Sequence, residues 1–151
     1  MRAWLALLTL LVAAGRGLLA QEGTEEWKVQ LRGWTVSSPA ISPDGGTVYI
    51  GVATATAGRI VALTTGGALR WQVDRPDAID GSPAVGPDGT IYVGAMDGKF
   101  HALHPANGAI KWEYSTRTFI YSSPAVGADG TVYFGAGDSR LHAVGNNGVG
   151  R

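Results

Sequence analysis

Residues 82–114 read SPAVGPDGTIYVGAMDGKFHALHPANGAIKWEY. Four short apolar runs are separated here by turns rich in glycine, proline, Asp and Asn, a rhythm that fits strands and not a helical period. Strand A is SPAV (82–85), Pro87-Asp88-Gly89 turns into strand B (90–94), and Asp97-Gly98 turns into strand C, Lys99 to Leu103. Pro105 to Gly108 then turns into strand D, Ala109 to Tyr114. Glycine enters positive φ without a Cβ clash and Asp bonds its own downstream backbone, so Asp-Gly suits a two-residue hairpin. The aspartates are therefore read as turn-formers and not as carboxylates with a chemical task.

The pattern occurs three times. Ser38-Pro39-Ala40, Ser82-Pro83-Ala84 and Ser123-Pro124-Ala125 are spaced by 44 and then 41 residues, and Trp27, Trp71 and Trp112 keep the same intervals. So do Asp44-Gly45, Asp88-Gly89 and Asp129-Gly130, each followed by an alternating run, TVYIG (47–51), TIYVG (90–94) or TVYFG (131–135). A period in the low forties with four strands per unit marks β-propeller blades. The fold class is all-β: four-stranded antiparallel sheets in three repeats, with units at about 27–70, 71–111 and 112–151. Closed propellers have about four to eight blades, so this ring is incomplete. EWKVQL (26–31) resembles a strand D without its own A, B and C, and the third unit stops before its strand D. Two explanations stand: a piece of a longer propeller, or a homo-oligomer joined through open blade edges, with Glu26–Leu31 pairing against Arg140–Val144 of another copy.

Composition narrows the function classes. Charged residues make up 16% of the chain and acids and bases number 12 each, without a run of either sign, so nucleic acid and anionic bilayers are not the expected partners. No cysteine is present, which removes disulfides, thiolate metal sites and cysteine nucleophiles together. At the start, Arg2 precedes the apolar run AWLALLTLLVAA (3–14), and small residues follow to Ala20. This reads as a signal peptide over residues 1–20, cut before Gln21, with a cut after Gly15 as the competitor and an uncleaved anchor as the alternative. The expected location is periplasmic or extracellular, with residues 21–151 as the partial propeller and no membrane span after cleavage.

The run ALHPANGAIKW (102–112) joins an Ala on strand C to Gly108 and then Trp112 on strand D. In this the chain resembles the pyrroloquinoline-quinone (PQQ)-like repeat β-propellers, a family of quinone-dependent dehydrogenases and cofactor-free relatives such as the outer-membrane-protein assembly factor. His104 and Asn107 stand where that family usually has Asp and Thr. The dehydrogenases resemble one another in a vicinal cysteine pair, an aromatic platform and a calcium beside a catalytic Asp. The cysteine pair cannot exist here, and three blades cannot encircle a cofactor. The expectation is accordingly no catalytic, cofactor or metal site, and a module that binds another protein or a cell-envelope polymer. An N-terminal fragment of a PQQ-dependent dehydrogenase and a carbohydrate-binding propeller are the alternatives.

Residues needed once per unit are assigned to architecture: Trp27, Trp71 and Trp112 as wedges against the neighbouring sheet, Pro39, Pro83 and Pro124, and Gly45, Gly89 and Gly130. His101 and His142 hold one position in successive units and trail one another, so they pack between blades instead of sharing a metal. Candidate binding residues are sought where the copies disagree. The D-to-A connections differ most, with Trp34 aligned to Ala78 and Phe119, and Val36 aligned to Asp80 and Tyr121. The first B-to-C connection is also longer, Ala53 to Gly58. Both kinds of connection lie on one face of a propeller, and loops carry function on a repeating scaffold. Trp34, Phe119 and Tyr121, beside Arg75 and Asp77, are the candidate partner-binding residues; unconstrained drift is the competing account. Export carries its own check: material from the extracytoplasmic fraction should have the intact mass of a chain starting at Gln21, and recovery of a chain starting at Met1 would defeat the reading.

Overall fold

The computed structural model describes residues 24–150, so the segment read as a signal peptide lies outside the described residues. The first sheet orders β1 (Ala40–Ile41), β2 (Thr47–Ala53), β3 (Gly58–Thr64) and β4 (Leu69–Arg75) side by side. The second repeats this with β5 (Ala84–Val85), β6 (Ile91–Gly94), β7 (Lys99–Leu103) and β8 (Ile110–Ser115). The third, among the described residues, has β9 (Ala125–Val126), β10 (Val132–Gly135) and β11 (Leu141–Val144). Every pairing is antiparallel, and the described residues contain no helix. These are propeller blades in an unclosed ring.

The turns depart from the expected hairpin in one respect. Gly86 N–H donates to Thr90 C=O (2.8 Å) and Gly89 N–H to Gly86 C=O (2.9 Å), so the loop is three residues long, Pro87 to Gly89, and not two. The glycine closes it at φ +81°, as expected of a turn followed by one left-handed residue. Asp88 Oδ1 accepts from Thr90 N–H at 3.0 Å, and Asp129 makes the same bond to Thr131 at 3.0 Å. The turn aspartates thus bond two residues downstream, as Asx turns do.

Why three sheets stand together follows from burial. All four residues of β6 are buried, as are four of the five in β7, because the second sheet has a neighbour on each side. Tyr49, Ile60 and Ala62 from the first sheet, with Ile79 from the connection after it, pack against Ile91, Val93 and Leu103. The opposite face brings Tyr92, Phe100 and Ala102 against Val132, Phe134 and Val144, with Phe100 and Phe134 stacked at 3.9 Å between ring centroids. Strands of different sheets meet at β1 with β5 and β5 with β9. There Ser38 N–H donates to Ser82 Oγ (2.7 Å) and Ser82 N–H to Ser123 Oγ (3.1 Å).

The tryptophans join the units at the other side of the sheets. Trp71 Nε1–H donates to Pro105 C=O at 2.8 Å, Trp112 to Asn146 C=O at 2.8 Å, and Trp27 to Thr65 C=O at 2.9 Å. Each Nε1–H reaches the C-to-D turn of the following unit, and the Trp71 and Trp112 rings also pack against the cores between the sheets, whereas Trp27 keeps 40% of its surface. Contact this close requires glycine: a Cβ on Gly108 would stand 2.7 Å from Trp71 Cζ3, and Gly108 sits at φ +69°. Gly45 has φ +70° with nothing within 4 Å of the same virtual atom, so the two positions separate backbone strain from crowding. Gly45→Ala should cost about 1–2 kcal/mol in urea unfolding, the left-handed penalty alone. Gly108→Ala should cost at least about twice that, because the ring must also move; equal losses would refute the docking role.

Candidate interaction face

The D-to-A connections reach over the ends of strand B in the unit they enter. Trp34 and Ala53 exchange both backbone bonds (3.0 and 2.8 Å), Met96 N–H donates to Ala78 C=O (3.1 Å), and Gly137 N–H donates to Phe119 C=O (3.0 Å). One face of the array therefore carries these connections, anchored by backbone and free to vary in side chain.

The connection from the second unit to the third is the most elaborate. Thr116 Oγ1 donates to Gly98 C=O (3.0 Å) and Thr118 C=O (2.7 Å), and Ile120 N–H donates to Ala95 C=O (3.1 Å). Ile120 points inward and is fully buried, whereas Phe119 and Tyr121 on either side stay 44% and 50% exposed. Their rings contact each other at 4.8 Å between centroids, tilted by 50°. They border a shallow cavity of about 220 Å³ completed by Ser122 and Gly135 to Gly137. A Cβ on Gly137 would stand 2.6 Å from Phe119 Cζ, so the ring lies across the bare backbone of the adjoining B-to-C turn.

The other sequence-derived candidates are placed differently. Trp34 is 56% exposed on the connection into the first unit, with no ring contact to the aromatic pair. Arg75 turns into the seam between the first two sheets, where its Nη2 donates to Gly108 C=O at 2.9 Å and its Nε is buried without a hydrogen-bond partner. Asp77 is half-buried, its backbone carbonyl lying against Gly58. The structure therefore brings Phe119 and Tyr121 together and leaves Trp34, Arg75 and Asp77 apart from them. Arg117 was not singled out from sequence. It is exposed at φ +62°, and Arg32 holds the equivalent place in the first connection at φ +54°.

Larger hollows lie elsewhere. One of about 500 Å³ opens between Val29 to Arg32 and the face of the first sheet turned away from the second, near Val61 and Leu63. Another, of about 400 Å³, lies among the A-to-B and C-to-D turns at Pro43, Pro87 and Pro105. Among the described residues, no group of three or more His, Asp or Glu is placed to hold a metal.

His101 is 3% exposed in the seam between the first and second sheets. Glu113 Oε1 lies 3.0 Å from Nδ1, yet off the line of a hydrogen bond, so neither ring nitrogen has a hydrogen-bond partner. Burial is the main cause that pushes its pKa down, with Arg75 and Lys99 acting the same way and Glu113 and Asp97 opposing. His142 does find a partner, Asp138 Oδ2 at 3.1 Å, and stacks on Phe134.

A sequence profile described as outer membrane protein assembly factor BamB matches residues 56–149. The crystal structure of BamB from Moraxella catarrhalis superposes with a TM-score of 0.70 at 25% identity, covering 82% of this chain and 38% of that one. The Dos1 propeller superposes with a TM-score of 0.60 at 11% identity, covering 73% of this chain and 30% of that one, a likeness of fold alone. The chain thus spans well under half the length of the solved propellers it matches. No curated protein matches its sequence.

The depressed His101 has a definite sign in stability. In the unfolded chain it titrates near 6.5, so below that pH the unfolded state binds the extra proton and stability falls as the solution is acidified, by up to about 1.4 kcal/mol per pH unit. His101→Val, which copies Val61 at the equivalent place in the first unit, should flatten the decline of the urea midpoint between pH 7 and pH 5. An unchanged slope would assign the acid sensitivity to other groups.

Proposed function

Because the chain belongs to the family of the outer membrane protein assembly factor BamB, we propose that it is an exported, non-enzymatic propeller module that binds another protein through the face bearing its D-to-A connections. The observation that carries the reading is the exposed, mutually packed Phe119 and Tyr121 on a connection whose backbone is anchored to both flanking units. Aromatic side chains that are already ordered lose little freedom on binding, and this makes them frequent anchors of protein interfaces. The family description supports a partner in the cell envelope, and the apolar run from Ala3 to Ala14 supports export to the periplasm or beyond.

A scaffold role also fits the polar chemistry. Against the opposing effect of burial, the carboxylates of Asp44, Asp88 and Asp138 are lowered in pKa by hydrogen bonds within their turns and, for Asp138 and Asp88, by His142 and Lys111 on neighbouring strands. Such groups hold loops in shape and stay ionised. His101 is buried within a seam between sheets.

A photo-crosslinking amino acid placed at Tyr121 in the producing cell should capture a discrete protein adduct, and the same probe at Arg70, among the turns of the opposite face, should not. Phe119→Ser combined with Tyr121→Ser should weaken the isolated complex by about 2 kcal/mol or more, as expected for a central aromatic anchor. Equal capture from both faces would sink the assignment.

A further inference from the structure

The aromatic pair is flanked by two exposed cations. Arg117 lies two residues before Phe119, is exposed, and makes no hydrogen bond or ion pair among the described residues. It holds a left-handed backbone at φ +62°, a conformation glycine would adopt without the steric penalty. Arg140 closes the B-to-C turn on whose Gly137 the Phe119 ring lies, through the bond from Ala136 N–H to Arg140 C=O at 3.2 Å. Its side chain is 78% exposed and approaches Asp138 only at 3.9 Å, while that carboxylate is held at 3.1 Å by His142. An exposed pair this loose contributes little, so the Arg140 charge remains available.

Of the acidic side chains on this face, Asp138 shares the turn of Arg140 and is held by His142, Asp97 is exposed on the B-to-C turn of the second unit, and two more lie on the preceding connection. Asp77 and Asp80 are half-buried on the preceding connection, and Asp80 takes the place that Tyr121 takes in the later one. The apolar anchors and Arg117 thus share the connection into the third unit, with Arg140 on the adjoining turn, while the connection into the second unit carries Asp77 and Asp80. The adjoining cavity is shallow, about 220 Å³, and suits one bulky side chain of an extended segment better than an enclosed ligand.

Resting on the protein-binding reading above, we propose that Phe119, Tyr121, Arg117 and Arg140 form a docking site for an acidic segment of a partner protein, with a bulky apolar residue seated against the ring pair. The apolar residue supplies contact area. The carboxylates answer Arg117 and Arg140 and are repelled from the Asp77–Asp80 side, so charge fixes the direction in which the segment lies.

The test uses the full chain and two fluorescein-labelled peptides, Glu-Asp-Phe-Glu-Leu-Asp and its counterpart with Gln and Asn at the acidic positions. The acidic peptide should bind at least about tenfold more tightly by anisotropy, and its advantage should shrink in high salt. Arg117→Gln should weaken it about fivefold or more, and Arg117→Lys, which keeps the charge, should stay within about twofold. Near-identical thermal melting of the two variants keeps a folding defect out of the comparison. Equal binding of both peptides, or indifference to Arg117→Gln, overturns the proposal. If neither peptide binds while the probe at Tyr121 still captures a protein, the acidic chemistry is wrong and the protein-binding reading survives. If that probe captures nothing either, both fall.

Discussion

An indole that leaves the last strand of one sheet and lands on a turn of the next is the contact on which the rest of this protein depends. A four-stranded sheet of this kind has two apolar faces and cannot bury either one alone. Trp71 and Trp112 set the spacing at which neighbouring faces meet, by combining a directed bond from Nε1–H with a ring laid on a glycine. The bond is worth about 1 kcal/mol net, while the larger effect is positional. With the outer sides of the sheets pinned by tryptophan and the inner sides by serine, the aromatic cores are held between them. The stacked Phe100 and Phe134 are a result of that spacing.

The same arrangement explains where individuality can reside. Turns that receive a tryptophan must keep their glycine, and A-to-B turns must keep the Asp that accepts from the backbone two residues on. The D-to-A connections are held by backbone bonds to strand B, which impose nothing on the outward side chain. Trp34, Ala78 and Phe119 occupy one such position with three different chemistries. The surface with the least architectural duty is therefore the one where aromatic anchors and exposed arginines accumulate.

Repetition made the fold readable from sequence. Strand C of the second unit runs over Lys99–Leu103 as its residues indicate, and the glycine after each turn aspartate has the positive φ that the dipeptide implies. What escaped the sequence was the destination of long side chains. Arg75 is polar and ends β4 beside a variable connection, which argues for the surface, but its guanidinium finds a carbonyl in the neighbouring unit and goes into the seam. The tryptophans repeat as architectural residues do, yet nothing in their spacing says that a turn carbonyl receives each Nε1–H. Arg117 left a trace that pattern alone could not interpret: Arg, Pro and Arg align at that place, and only the backbone reveals that both arginines are left-handed.

The serine bonds near the inner strands cross 44 residues in one step and 41 in the next, and they are the same bond. The length of a unit is thus decoupled from the pitch of the array. A residue gained in a rim turn, such as the extra Gly46 beside the first Asp-Gly or the longer Ala53 to Gly58 connection, is absorbed locally and leaves the next blade where it was. In evolutionary terms this makes the rim a tolerant site for insertions and deletions, so recognition can diversify by changes of loop length as well as by substitution while the inheritance of the fold stays intact.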